Sequence, residues 1–541
     1  MLATIRHWFV DNFVELGREM RLSYLPPLMV YVAAGVSGLT GIVGTFFVKE
    51  YLGLSAAFLA ALGFWAGIPW ALKMPLGHLV DLIWRHKAGL VWLGAGLIAT
   101  SLLIMLGLVT EPLRMRAVMS IEAWFVLSAL LSPVGYVLQD VVADAMTVEA
   151  VPRVDEHGQP LPAATRRLMN TTLQTLGRVA IIGGGVLVSL VNVLMFAGVE
   201  SLPPNAKAAI YSEVYALALL IPVISVAGVL LAALLQRRER QRLRARGFAE
   251  ARLRELLEPP LEPVQPNWWI LGGSLVFVVI SLSVGLSQLP FGEEIVFLAS
   301  FVVIVFLMGR LLRELDGDSR RTLLGTAIVI FVFRAVPGPG AGSTWWMIDA
   351  LGFDQSFLAK LSLIASVLTL LGLFTFRRFM AERSIAYIAG FLTLAGTLLS
   401  LPTLGMYYGL HEWTAAHTGG IVDARFIALI DTALESPLGQ IAMVPMLAWI
   451  ANSAPANLKA TYFAVMASFT NLALSASQLG TRYLNQIFEV NREVRDPLTS
   501  ALTTPADYSQ LGSLFMVSIV LGLVLPFAAI WLTRTLKLRS A

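Results

Sequence analysis

The stretch Gln139-Asp140-Val141-Val142-Ala143-Asp144-Ala145-Met146-Thr147-Val148-Glu149-Ala150 sets three carboxylates at the end of a largely apolar run that begins near Ala117. At helical spacing Asp140 and Asp144 stand one turn apart on one face and share an environment. Two anions that close cannot both stay charged cheaply away from water, so the pair takes up and releases protons in linked steps. A carboxylate that alternates between neutral and charged is what a proton-coupled carrier requires. An interhelical ion pair or a helix-end cap is the alternative reading of the same residues.

The surrounding chain has 541 residues, 57% hydrophobic and 14% charged, with a mean hydropathy of +0.74. That is too apolar for a soluble globular protein. Runs of about 20 apolar residues recur along nearly the whole length, which fits membrane-spanning helices and not a barrel of short alternating strands. There is no cysteine, so disulfides, thiolate nucleophiles and cysteine-held metals are excluded. A net charge of +4 is no nucleic-acid footprint, because the Lys and Arg residues lie mostly in connecting loops. Their distribution between the two sides sets orientation instead. Placing the N-terminus in the cytoplasm puts most of the 39 Lys and Arg residues inside, with both termini, and leaves the loops around Arg114, Lys207, His411 and Arg492 outside.

Residues 1–24 mix Trp8, Phe9, Phe13 and Leu16 with charges and read as an amphipathic surface helix. Residues 25–235 hold six expected spans. The first carries Gly35, Gly38, Gly41 and Gly44 at intervals of three, a spacing that permits close helix packing. The fifth carries Gln174 and Arg178, and Asp140 or Asp144 is the partner expected for that arginine. Residues 236–267 are arginine-rich and then proline-rich, which makes a cytoplasmic linker. Two additional spans occupy residues 268–313.

The chain then begins again. Leu52-Gly53-Leu54 and Phe58-Leu59-Ala60 reappear 299 positions on as Leu351-Gly352-Phe353 and Phe357-Leu358-Ala359. Each block closes one span and opens the next, as duplication of a six-helix bundle requires. Residues 320–541 form the second bundle on this reading, with spans near 322–346, 356–376, 385–408, 426–450, 460–485 and 511–532. The expected architecture is all-α and polytopic, about fourteen spans arranged as six, two and six.

Gly77-x-x-x-Asp81, followed by Arg85, His86 and Lys87, resembles the loop between helices two and three of the major facilitator superfamily. Trp70, Lys73, Gly77 and Asp81 are similar to the Trp-x-x-Lys-x-x-x-Gly-x-x-x-Asp element of the folate-biopterin transporter family within it, although Pro75 stands one place late. Asp140-Val-Val-Ala-Asp144 with Val148-Glu149 resembles that family's Asp-Val-Val-x-Asp segment. In the second half Asp423, Phe426, Asp431, Gly439-Gln440, Met443, Pro445, Thr461, Phe463, Met466, Ser468 and Asn471 follow its late-helix pattern. Departures are Ala150 where a base is usual, Lys459 where an acid is usual, and Ser453-Ala-Pro455-Ala in place of a Cys-Pro-Pro-Gly-like loop.

The resemblance implies the major facilitator fold and import of a pteridine-type solute, an aromatic heterocycle that in folates ends in two carboxylates. Such a solute needs cations and flat surfaces. Lys73 and Arg178 can meet carboxylates, and Trp70, with Trp65 and Phe64 nearby, can stack. Gln174, Asp431, Glu435, Gln440 and Asn471 complete the expected solute contacts, Asp140 or Asp144 carries the proton, and the loop of Gly77, Asp81 and Arg85 gates. Asp423 and Arg425 are expected to pair near the outer surface. Pro337-Gly338-Pro339-Gly340 superficially resembles a phosphate loop, but no strand precedes it, and a flexible gate is expected there.

The expected partners are a small solute, protons and the bilayer of the inner cell membrane. The chain is expected to act as a monomer, with no nucleic acid, cofactor or metal. A carrier or exporter of a different metabolite or drug is the rival reading. An enzyme is disfavoured, since His411-Glu412 lacks a second histidine at zinc-protease spacing and no Gly-x-Ser-x-Gly elbow occurs.

Overall fold

The computed structural model describes residues 17–540, with 18, 72, 153–158, 160, 249–265, 288, 314–315, 440, 442–458 and 496–501 excepted. The expected surface helix at residues 1–24 therefore lies largely outside the described residues, as does most of the linker after Phe248. Among the described residues, 11 helices are long and apolar enough to cross a membrane.

The first bundle comprises α1 (Leu25–Gly35) and α2 (Gly41–Tyr51), which together make one span through a tight turn at Val36–Thr40. It continues with α3 (Ala56–Ala71), α4 (Lys73–Leu82), α5 (Ala88–Thr110), α6 (Ile121–Ala150), α7 (Ala163–Met195), α8 (Pro204–Ala218) and α9 (Leu220–Ala245). Two additional helices follow, α10 (Trp268–Ser287) and α11 (Gly292–Arg313). The second bundle comprises α12 (Gly317–Arg334), α13 (Ala341–Asp349), α14 (Gln355–Thr375), α15 (Ile385–Tyr407), α16 (Ala424–Glu435), α17 (Lys459–Ile487) and α18 (Leu511–Thr535). Successive spans alternate in direction. The lower rim is the end where α1 begins and α18 finishes, and the upper rim is the opposite end.

The expected spans at 322–346, 426–450 and 460–485 are not among the 11, for different reasons. The first is split into α12 and α13 by Pro337-Gly338-Pro339-Gly340, where Gly340 adopts φ +75°. A break at membrane depth needs partners for its freed backbone groups. One face of α17 supplies them: Ser477 donates to the Val336 carbonyl at 2.7 Å, Thr481 accepts from Gly338 N at 3.0 Å, and Asn485 donates to the Pro339 carbonyl at 3.2 Å. Those same polar residues lower the hydropathy of α17, which is one unbroken helix all the same. The span at 426–450 begins as α16 and then passes into residues outside the description.

Of the four glycines in the first span, Gly35 is the one that makes a helix crossing. A Cβ there would lie 2.3 Å from the Ile181 carbonyl oxygen, and one at Gly184 would lie 2.8 Å from Gly35. Gly38 and Gly41 face open space.

The bundles meet along α3 against α17 and α7 against α14. Near the upper rim Gln355 donates to the Tyr211 hydroxyl at 2.8 Å, and Ser189 and Ser362 share a hydrogen bond of 2.8 Å. Trp345 and Ala359 of the second bundle are buried in the apolar core of the first. A two-stranded hairpin, β1 (Val494–Arg495) with β2 (Leu502–Thr504), caps this rim. The additional helices do not stand apart. Phe277 of α10 and Val296 of α11 pack with Phe64 and Ile68 of α3 and with Leu479 of α17, so they straddle the seam between the bundles.

Candidate functional site

Pro75 cannot supply the N–H that would bond the Ala71 carbonyl, and its ring crowds that oxygen. Lys73 stands two residues before it, in the second span, which runs over Ala56–Val80. Its ammonium lies 2.5 Å from Asp140 Oδ2 and 2.9 Å from Asp144 Oδ2. The one-turn spacing of the aspartates on α6 thus creates a two-sided seat for one cation. From α1, Tyr31 donates its hydroxyl to Asp144 Oδ1 at 2.7 Å. Its ring can lie there because residue 177 is glycine, where a Cβ would come within 3.0 Å of it. The Lys73, Asp140 and Asp144 side chains are 20%, 17% and 41% exposed, so the cluster can be reached from outside the packed interior.

Thr147 extends this face by one turn. Its hydroxyl donates to the Asp144 carbonyl at 2.7 Å and accepts from Gln174 Nε2 at 3.3 Å. Arg178, one turn from Gln174 on α7, stands within electrostatic range of Asp140 and Tyr31. Among the described residues it forms no ion pair, so the expected contact with Asp140 or Asp144 acts at longer range. Two carboxylates against Lys73 leave one negative charge, which the guanidinium offsets.

Lys73, expected to face a solute carboxylate, is held by two protein carboxylates. It becomes available to an outside anion only when one of them lets go. Spacing along α6 revealed the acidic pair, but nothing in the sequence placed Lys73 between its members or Tyr31 beside them. At the lower rim Glu149 takes Lys87, at 2.6 Å, and the same ammonium lies 4.2 Å from the Trp84 ring centroid.

Asn471 of α17 donates to the Trp70 carbonyl at 3.1 Å, three residues from Lys73, and brings the second bundle to the site. The Trp70 side chain, like those of Leu76 and Trp84, packs against the buried core that includes Tyr31, Val80 and Val141. Phe64 and Trp65 turn toward the additional helices: Phe64 is fully buried, and Trp65 Nε1 donates to Glu293 at 3.2 Å. Gly77 has open space around it, so no close approach depends on it. The Asp81 and Arg85 side chains and all of Gln440 lie outside the described residues.

Asp431 and Glu435 lie one turn apart on α16, and Asp431 Oδ1 is buried without a hydrogen bond. Among the described residues no hydrogen bond or ion pair joins them to Lys73. Asp423 and Arg425 do not pair: Asp423 caps α16 by accepting from Phe426 N at 2.8 Å, while Arg425 reaches Asp354 at 2.9 Å. A helix N-terminus with free N–H groups claims the nearer carboxylate.

The profile of the BT1 family matches residues 34–537. The chain belongs to the BT1 family. A relative in Synechocystis sp. described as a folate-biopterin transporter is 23% identical over 468 residues, covering 86% of this BT1 chain and 75% of the relative. Among solved structures, a POT family transporter in complex with 5-aminolevulinic acid is similar with a TM-score of 0.59 at 12% identity, covering 95% of this chain and 96% of that one. A peptide transporter POT mutant in complex with alafosfalin gives 0.56 at 15% identity, covering 95% of each. At such identities the likeness shows the fold, which is that of the major facilitator carriers, two six-helix bundles with two helices between them. This BT1 chain is therefore a multi-pass membrane transporter, and its relatives are carriers, not enzymes.

Proposed function

We propose that this chain is a proton-driven importer of folate- or pterin-like solutes, working as a monomer by alternating access in the inner membrane, with both termini cytoplasmic. The observation that carries the reading is Lys73 held between Asp140 and Asp144. With both carboxylates ionised, the ammonium is engaged and the site offers Arg178 alone to an anion. A proton taken up by either aspartate loosens that hold, and Lys73 then turns to a solute carboxylate beside the Arg178 fork. Departure of the solute returns Lys73 to the aspartates and expels the proton. Solute and proton thereby assist each other through one shared cation.

The ring end of the solute would lie toward Trp70 and the second bundle, where Asn471, Asp431, Glu435 and Gln440 offer amide and carboxylate partners for a pteridine edge. The segment of Gly77, Asp81 and Arg85 would gate the cytoplasmic mouth. The name of the Synechocystis relative supports the solute class.

Uptake of folate and of a simple pterin into proteoliposomes tests this. Acid outside should drive accumulation, and the double variant Asp140→Asn with Asp144→Asn should abolish that drive while leaving solute exchange at equal pH measurable. Unchanged gradient-driven accumulation in the double variant would overturn the coupling assignment.

A further inference from the structure

The Lys73 seat presents four carboxylate oxygens, and three of them already face a donor. Lys73 Nζ donates to Asp140 Oδ2 at 2.5 Å and lies 2.9 Å from Asp144 Oδ2, while the Tyr31 hydroxyl donates to Asp144 Oδ1 at 2.7 Å. The fourth oxygen, Asp140 Oδ1, takes no hydrogen bond among the described residues. A proton arriving at one of the first three has to share an oxygen that a donor already occupies, whereas at Asp140 Oδ1 it displaces nothing.

Surroundings divide the aspartates in the same sense. Hydrogen bonds favour the ionised form of a carboxylate, and burial disfavours it. Asp144 has a donor on each oxygen and 41% of its side chain exposed, while Asp140 has a donor on one oxygen and 17% exposed. Two groups pull toward an ionised Asp140: Lys73, through the shorter of its two contacts, and Arg178 of α7 at longer range. Lys73 is common to both aspartates, so its pull largely cancels between them, and Arg178 forms no ion pair among the described residues. The Tyr31 hydrogen bond belongs to Asp144 alone. Tyr31 is 5% exposed, with its ring against Gly177, so its hydroxyl is held where it stands. Other charged groups are engaged elsewhere: Glu149, further along α6, is taken by Lys87, and His78 of α4 accepts from Asn267 N at 2.9 Å. The helices α3 and α5, which also pack on α6, carry no charged residue.

We infer that Asp140 takes up the driving proton, at Oδ1, and that Tyr31 is a positioning residue that keeps Asp144 ionised; this rests on the proton-driven reading above. With Asp140 neutral, Asp144, Lys73 and Arg178 together carry one net positive charge, which one solute carboxylate offsets. Asp144 remains as the anion that draws Lys73 back once the solute has left, and Asp140 then gives its proton to water on the cytoplasmic side.

Infrared difference spectra of the solute-free chain in proteoliposomes, recorded as the pH is lowered, follow carboxylates as they become carboxylic acids. Over the pH range that drives uptake, the C=O band missing from the double variant Asp140→Asn with Asp144→Asn belongs to the pair. Tyr31→Phe keeps the ring and removes the donor. It should bring that band in roughly half a pH unit higher, because Asp144, short of one donor, draws harder on Lys73 and leaves Asp140 less of it. The frequency of the band should stay at its wild-type value, since an acid at Asp140 has no bond to Tyr31 to lose. A band that Tyr31→Phe shifts in frequency would put the acid on Asp144, and an unmoved pH profile would remove Tyr31 from the mechanism. Either result overturns the assignment and leaves proton-driven import standing. Absence of any band from the pair would overturn the proton-driven reading and this assignment with it.

Discussion

Lys49 Nζ, at the end of α2, lies 2.5 Å from Asp349 Oδ1 at the end of α13, and this ion pair ties the two bundles together at the upper rim. Asp349 also accepts from Tyr508 at 2.5 Å, so the helix ends and the segment beyond the hairpin converge on one carboxylate. A carrier that alternates access has to break this link in each cycle. Part-buried pairs of this kind contribute about 1 kcal/mol, close to a fivefold shift in a two-state equilibrium. Lys49→Gln is therefore expected to move the population toward an open upper rim. Spin labels on Ser201→Cys and Glu489→Cys report it, and the natural absence of cysteine makes the labelling specific. An unchanged distance distribution would show that the latch does not hold the rim.

The crossing of Gly35 with Ile181 and Gly184 sets the spacing of α1 and α7, which carry Tyr31 and Arg178 to the site. A methyl at residue 35 meets backbone, which cannot rotate away as a side chain can. Gly35→Ala is expected to cost about 1–3 kcal/mol through forced separation. Gly38→Ala, in open space three residues on, should change little. Thermal unfolding of the two variants side by side separates a local crossing from a general intolerance of the first span.

Hydropathy and repetition made the six, two and six arrangement legible, because in a bilayer the spans themselves must be apolar. Asp140 and Asp144 were legible for the same reason, as charges where charges are costly. The rest depends on facts that no local pattern contains. Trp65 reads as a stacking surface until Glu293, 228 residues away, accepts its N–H. The α17 span reads as weakly hydrophobic because its Ser477, Thr481 and Asn485 serve the backbone of another helix. Lys73 reads as a free cation until folding delivers it to α6.

Charge balance at the Lys73 seat gives a sharper test than removal of any one residue. Lys73→Gln leaves two carboxylates one turn apart with no adjacent cation, a change expected to destabilise the protein by about 3–5 kcal/mol. Adding Asp140→Asn removes the surplus charge and should recover most of that loss. Folded yield and melting temperature of the single and double variants measure this by a double-mutant cycle. Equal losses in the two would mean that Lys73 acts through packing and not through charge.

Arg492 was expected in an outer loop, and in the fold it is buried, with 2% of its surface exposed and its ring-plane neighbour Trp345 4.7 Å away. Its Nε, Nη1 and Nη2 all lack hydrogen-bond partners among the described residues. Burial pushes the guanidinium down to about 10, against the opposing pull of Tyr508 and Asp349. Because its proton is held less tightly in the folded chain than in the unfolded one, the charge works against folding at every pH below about 10. Above that value the folded chain releases the proton first, and the cost shrinks as pH rises toward the ordinary arginine range. Arg492→Met keeps an unbranched apolar stem against Trp345 without the charge, and it should raise stability at pH 7 by an amount on the order of 1–3 kcal/mol. The gap between variant and wild type should then narrow in melting curves taken above pH about 10. A variant less stable than the wild type at pH 7 would mean that the guanidinium has a partner that offsets its burial.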